Sequence, residues 1–167
     1  FLICAGSILF RLPITLENKT RPLQICLILH LRKHEYLLSK GRKDQFEGSL
    51  LDVALRETHE ETGYPCCPLP VTLHTRAPLP REDDTKNGTQ VANCTEPFAM
   101  TVRHIAPDNV KIIYWFITEV AGEHQDGTLR PGEFFESCWF EAEEALEKLT
   151  YKHDRDVARH AIDLVRE

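Results

Sequence analysis

Residues 49–62 contain no glycine or proline, begin with a serine suited to an N-cap and stop at Gly63, which suits the left-handed position after a helix. The spacing predicts one helix over 49–62. At about 100° per residue, Glu57, Glu60 and Glu61 share one arc of that helix, while Leu51, Leu55 and Thr58 form a neighbouring stripe. Such a stripe can anchor the helix to a sheet, with the three carboxylates beside the contact. Carboxylates so close repel one another unless a cation neutralises them. All-oxygen ligands of this kind suit magnesium or manganese rather than zinc. From the three glutamates alone, an ordinary solvated acidic face remains open, since Glu is a good helix former.

The sheet that such a helix needs is supplied on both sides of it. Residues 2–12 and 24–31 are short, apolar and rich in Ile and Leu, and read as strands, with 35–38 a third candidate. Residues 39–48 read as a charged, glycine-bracketed loop leading into the helix. Apolar segments at 69–73 and 98–103 flank residues 78–95, which read as a surface loop or insertion. Residues 111–120 (KIIYWFITEV) form the strongest strand of the chain, and 134–140 another. From Glu141 onward the pattern is helical, with Ala145, Leu146, Leu149, Val157, Ala161, Leu164 and Val165 set among charges. The order of strands, helix, strands and helix, with no internal repeat, makes the fold class α/β with a mixed sandwich architecture. A length of 167 residues fits one domain spanning 1–167.

Asp and Glu outnumber Lys and Arg by 26 to 20, a net charge of −6. That balance argues against broad capture of nucleic acid and leaves room for a small phosphorylated ligand held by local cations or bound metal. The six cysteines include no C-x-x-C pair, so zinc has little support and reduced thiols of an intracellular protein are expected. Two sequons, Asn87-Gly88-Thr89 and Asn93-Cys94-Thr95, matter only if the chain is secreted. The apolar residues 1–10 lack a basic n-region and a small-residue cleavage site, and start without Met, so the true start is expected upstream and secretion stays open. No run reaches the roughly 18 apolar residues of a spanning helix, so no membrane partner is expected. A monomer is expected.

Residues 41–64 resemble the Nudix box, G-x5-E-x7-R-E-U-x-E-E-x-G-U, where U is a bulky apolar residue. Gly41 and Glu47 have the spacing of the box, and Arg56-Glu57-x-x-Glu60-Glu61-x-Gly63 reproduces its core. Two departures stand out. Eight residues rather than seven separate Glu47 from Arg56, so anchoring on the helix puts Gly48 at the first glutamate's place and leaves the role of Glu47 open. Thr58 and Tyr64 occupy positions where aliphatic residues are usual. Beyond the box, Cys4-Ala5-Gly6-Ser7-Ile8-Leu9-Phe10 resembles the family's first strand, and Leu38-Ser39-Lys40-Gly41 its "L-P-K-G" segment with Ser39 in place of Pro. Ile113-Tyr114-Trp115-Phe116, followed by Glu133, Trp139 and a C-terminal helix, resembles the branch that hydrolyses diadenosine tetraphosphate.

The resemblance implies a Nudix-type α/β/α sandwich with a mixed central sheet, a Nudix helix and a C-terminal helix. It implies Mg2+- or Mn2+-dependent hydrolysis of a phosphoanhydride in a nucleoside diphosphate linked to another moiety, with a dinucleoside polyphosphate leading. Glu57, Glu60 and Glu61 become metal ligands, joined by the Lys40 carbonyl and by Glu133. Arg56 orients a glutamate through its bidentate fork. Glu133, or another glutamate of the helix, serves as the base, and Glu136 competes with Glu133 for the distal place. Arg42, Lys43 and Lys111 are candidate phosphate-binding cations, and Tyr114 a candidate to stack on a base, against the alternative that it is strand core. His59 points beside the acidic arc and reads as a surface residue. Diphosphoinositol polyphosphates compete as substrate, with a convergence of Arg42, Lys43, Arg76 and Arg81 as the cluster they require. Capped mRNA and nucleotide sugars follow, and a catalytically silent binding or sensor module is the alternative from another class.

Overall fold

The computed structural model describes residues 1–17, 19–78 and 88–167. In chain order its elements are β1 (Leu2–Arg11), β2 (Ile14–Leu16), β3 (Lys19–Arg21), β4 (Gln24–His30), β5 (Glu35–Leu37), β6 (Ser39–Arg42), α1 (Leu50–Thr62), β7 (Cys66–Pro68), β8 (Val71–Thr75), β9 (Thr89–Cys94), β10 (Ala99–Ala106), β11 (Asn109–Val120), β12 (Phe135–Glu141), α2 (Ala142–Lys148) and α3 (Lys152–Arg166). Eight of the strands form one mixed sheet whose spine runs β10-β11-β1-β4-β12. β1 and β11 run parallel over nine paired positions from Leu2↔Lys111 to Phe10↔Glu119, and the other pairings are antiparallel. β5, β6 and β7 attach to β4, β1 and β11.

Alternation along the strands gives the sheet two coverings. Cys4, Ile8 and Phe10 of β1 and Ile113, Trp115 and Ile117 of β11 join a large buried core with Ala142, Ala145, Leu149, Ala158, Ala161 and Ile162 of the C-terminal helical segment. Ala5 and Phe116 point the other way, onto Val53 and Ala54 of α1, with Leu50, Leu51 and Tyr114 packed at the margin. This is the α/β/α sandwich that the resemblance implied.

Several local expectations change. Residues 39–42 are not loop: they form β6, paired with β1 from Cys4↔Arg42 to Ser7↔Ser39. No apolar run marks this strand. Its partner fixes it, and a Cβ on Gly6 would stand only 2.3 Å from the Ser39 carbonyl, so glycine there lets the two strands close. Within 78–95, Thr89–Cys94 is strand β9, held antiparallel to β8. Residues 79–87, with Arg81 and Asn87, lie outside the described residues. The C-terminal helical region is two helices. At Leu149 and Tyr151 the backbone turns extended. Between them Thr150 donates its N–H to the Tyr36 carbonyl and accepts the Tyr36 N–H on its hydroxyl at 2.9 Å, which ties the break to β5. Among the described residues no helix is long and apolar enough to cross a membrane.

Candidate active site

α1 is delimited as its residues dictate. The Ser49 hydroxyl accepts the Asp52 N–H while the Asp52 carboxylate accepts the Ser49 N–H, a capping box, and Gly63 closes the helix at φ 76° with its N–H on the His59 carbonyl. The box departures find their reason in packing. Thr58 is fully buried, and its hydroxyl meets Ser7 Oγ at 2.6 Å and Ser39 Oγ at 3.3 Å, while Ser7 Oγ also meets Thr118 Oγ1 at 2.8 Å. Thr58 in place of an aliphatic residue and Ser39 in place of proline therefore belong to one hydroxyl network under the helix. Tyr64 packs edge-on against Trp139 and His124, with Arg11 over the Trp139 ring at 3.9 Å.

The carboxylates gather around one guanidinium. Arg56 donates Nε to Glu47 Oε1 at 2.7 Å and Nη2 to Glu47 Oε2 at 2.9 Å, the bidentate fork. Its Nη1 reaches Glu57 Oε1 at 2.6 Å and Glu60 Oε2 at 3.2 Å, and Nη2 also donates to the Arg42 carbonyl at 2.9 Å. The fork holds the Glu47 carboxyl below its ordinary value, and the same contacts hold the Arg56 guanidinium above its own. A second arginine, Arg130, donates Nε to Glu60 Oε2 at 2.8 Å and Nη2 to Asp44 Oδ2 at 3.2 Å. Glu57 and Glu61 are 3% and 7% exposed. Burial pushes the Glu57 carboxyl up, with Arg56 pulling it back. Burial also pushes Glu61 up to about 8, against the Lys40 N–H that donates to its Oε2 at 2.8 Å.

The donor set suits a hard divalent cation. A Cβ on Gly41 would lie 2.0 Å from the Glu57 carboxylate, so the helix carboxylate rests directly on the backbone of β6, one residue from the Lys40 carbonyl. Three glutamates and a strand carbonyl form an all-oxygen set. Among the described residues, no three of His, Cys, Asp and Glu already converge as a metal cluster. Glu57 and Glu60 are turned toward Arg56 and Arg130 instead.

The expected residues are distributed unevenly. Arg56, Glu57 and Glu60 are together, and Glu61 stands beside them on the Lys40 N–H. Glu133 is drawn in through Arg130, whose backbone N–H donates to its Oε2 at 2.9 Å, and its charge helps raise Glu61. Glu136 lines a cavity of about 260 Å3 at the C-terminal end of α1, shared with Glu61, Gly63, His124 and Phe135. Lys43 is engaged by its own loop, with Nζ 2.7 Å from the Glu47 carbonyl. Lys111 and Tyr114 do not share a face: Tyr114 packs at the margin of the α1 core, whereas Lys111 has the parity of Ile113 on the opposite face. His59 meets Gln125 at 2.9 Å and stands apart from the carboxylates. Sequence reasoning missed Asp44 and Arg130. Glu47 had the signal of its spacing from Gly41, but Arg130 sits in a turn-rich segment with no pattern to single it out.

The NUDIX domain family model matches residues 14–161. A NUDIX-family hydrolase from Clostridium perfringens superposes with a TM-score of 0.61 at 15% identity, over 98% of this chain and 97% of that one. An Ap4A hydrolase of C. elegans, in a binary complex, gives 0.57 at 16% identity over 99% and 98%. The NUDIX domain of Shewanella oneidensis NrtR, complexed with ADP ribose, gives 0.59 at 12% identity over 98% and 88%. At such identities these likenesses concern the fold.

Proposed function

The chain belongs to the Nudix hydrolase family, and on that premise we propose that it is a divalent-metal-dependent pyrophosphohydrolase whose substrate is a dinucleoside polyphosphate such as diadenosine tetraphosphate. The observation that carries this reading is the collection of Glu57 and Glu60 around Arg56, with Glu57 against Gly41 and Glu61 on the neighbouring Lys40 N–H. A Mg2+ or Mn2+ ion, when bound, neutralises charge on anhydride oxygens and makes water a nucleophile near neutral pH. Glu57, Glu60 and Glu61 would hold it, with the Lys40 carbonyl and Glu133. Arg56 acts through its neighbours: its fork on Glu47 fixes the guanidinium, and the fixed guanidinium orients Glu57 and Glu60. Glu133 or a glutamate of α1 takes the proton of the attacking water. Arg42 and Lys111 attract the phosphate chain; Lys43, held on the Glu47 carbonyl, and Tyr114, on the other face of the sheet from Lys111, are the weaker candidates.

A product-resolved screen of the purified chain against dinucleoside polyphosphates, diphosphoinositol polyphosphates, nucleotide sugars and capped RNA, with and without magnesium, tests the reading. Metal-dependent cleavage of a dinucleoside polyphosphate ahead of the others supports it. Preference for a diphosphoinositol replaces the substrate and keeps the reaction. Binding of one ligand without cleavage of any makes the chain a sensor module.

A further inference from the structure

On the sheet face away from α1, Arg103 of β10 stands directly opposite Lys111 of β11, and Lys111 is paired in turn with Leu2 of β1. Like charges placed opposite one another on adjacent strands destabilise a sheet. β6 adds two more cations to this face: Lys40 is paired with Gly6, and Arg42 with Cys4, a residue of the core under α2 and α3. With burial, these neighbours push the Lys111 amine down from its ordinary value. Among the described residues, Asp154 in the first turn of α3, 2% exposed, brings a carboxylate to Arg103. Its Oδ1 is 3.6 Å from Arg103 Nη2 and 3.2 Å from His153 Nε2, and His153 Nε2 also contacts Arg103 Nη2. Asp154 Oδ1 and Arg103 Nε are both buried, and neither completes a hydrogen bond among the described residues. A chain with a net charge of −6 thus assembles cations on one face, with buried Asp154 set against Arg103.

We propose that Arg103, braced by Asp154 and His153, forms with Lys111 an anion subsite that holds a phosphate of the substrate remote from the bond cleaved. A planar fork beside a point charge is suited to a phosphate group. β6 joins the two halves of the site: Gly41 lies against Glu57, while Lys40 and Arg42 project toward the cations. A ligand engaging both halves carries a phosphate beyond the two that flank the scissile anhydride, which selects chains of three or more phosphates. That the phosphate belongs to a substrate rests on the hydrolase reading; that the pair binds a phosphate does not. Asp154 is a positioning residue, since it acts through Arg103.

The test is calorimetric titration of the full chain with inorganic tripolyphosphate and pyrophosphate in the presence of chelator, where no turnover occurs. Tripolyphosphate is expected to bind more tightly than pyrophosphate, and Arg103→Ala to weaken it by about tenfold or more, the scale of a lost charge-assisted contact. Asp154→Asn separates positioning from charge: removing an acid from a cationic group would by charge alone tighten anion binding, whereas loss of the brace weakens it. Unchanged binding in Arg103→Ala, or tighter binding in Asp154→Asn, overturns the proposal. If Asp154→Asn fails to fold by thermal melting, Arg103→Lys decides, because it keeps the charge and loses the fork; parental binding there overturns the proposal. With a cleaved substrate in hand, Arg103→Ala is expected to raise KM with kcat held within about threefold, and the reverse split overturns it. Absence of any turnover with tripolyphosphate binding intact retires the hydrolase reading and leaves the subsite standing.

Discussion

Under α2 and α3 the sheet buries Ile8, Phe10, Leu27, Ile113 and Trp115, a contact made of large apolar side chains that are almost wholly shielded from water. Under α1 the apolar contact shrinks to Ala5, Val53, Ala54 and Phe116. Beside it lie the buried hydroxyls of Ser7, Ser39, Thr58 and Thr118 and, at the rim, the carboxylates. The first face is held by dispersion and apolar burial, which are non-directional. The second trades apolar area for directional contacts that hold one helix at one height over β6, which is what glutamates resting on a strand backbone require. Most of the buried apolar area and the carboxylate rim thereby lie on opposite faces of the sheet.

The largest effect that would break this separation is on turnover. Glu60→Gln and Glu61→Gln are each expected to lower metal-dependent hydrolysis by roughly 10²- to 10⁴-fold, the range for a lost charge-stabilising or acid–base group. Their urea midpoints should move little beside that. Steady-state rates set against denaturation curves check both at once, and full activity in both variants removes the carboxylates from the mechanism.

The converse variant lies across the sheet. Leu27 is fully buried in the large core, and Leu27→Ala is expected to cost about 2–5 kcal/mol of unfolding free energy. Val53→Ala in the thin contact under α1 should cost less, about 1.6 kcal/mol for the two methyl groups removed. Urea unfolding with an unchanged m-value reads this. If Val53→Ala proves the more costly, the α1 face is the stabilising one and the comparison inverts.

These two faces were not equally legible in the sequence. The helix caps, the strands β1, β4, β11 and β12 and the acidic arc follow from local pattern: Ser49 and Gly63 terminate a helix by their own chemistry, and KIIYWFITEV can hardly be anything but a buried strand. β6 was hidden because Ser-Lys-Gly-Arg has no period of its own; it is a strand only because β1 pairs with it. Glu47 was ambiguous for a related reason. One extra residue before Arg56 shifts the count along the chain, yet the loop carries the carboxylate onto the Arg56 fork in space. Arg130, Asp44 and the grouping of Arg103 with Asp154 are products of chain crossing, to which sequence spacing has no access.

A third measurement bears on the carboxylate rim alone. Glu61 is pushed up to about 8 in the fold against about 4.5 in the open chain, so the folded state holds its proton more tightly across that interval. Metal-free protein is therefore expected to lose stability as pH rises from about 4.5 to 8, with a slope from this group of at most about 1.4 kcal/mol per pH unit. Glu57 and Asp154, also raised by burial, bend the curve the same way, so Glu61→Gln should flatten it without abolishing it. Glu47 is lowered by Arg56 and acts in the opposite sense: its contribution is present above its open-chain value and is lost as pH falls through its folded one. Thermal melts across pH 4 to 9 with and without magnesium check this, since a bound cation favours ionised Glu61 and should flatten the alkaline limb. An alkaline limb that stays as steep with the metal present removes Glu61 from the ligand set.

The smallest effect sharpens the comparison most, because it asks what the hydroxyl layer is for. Thr58→Val deletes the 2.6 Å contact to Ser7 Oγ and the weaker one to Ser39 Oγ, while Ser7 keeps Thr118 Oγ1 as a partner. With no partner wholly orphaned, the expected cost is about 0.5–1.5 kcal/mol. Combining it with Ser7→Ala removes both ends of the contact, and replacing both partners by apolar groups can be nearly neutral. The double variant is therefore expected to fall short of the sum of the singles by about 1 kcal/mol, the coupling typical of groups in one network. Activity gives the decisive contrast. If the network serves to hold α1 over β6, the double variant regains stability and not turnover, because the regained apolar contact no longer fixes the height at which Glu57 and Glu61 meet Gly41 and Lys40. Turnover that returns together with stability would mean that apolar packing positions α1 as well as the hydroxyls do, and that the two faces of the sheet differ in composition but not in task.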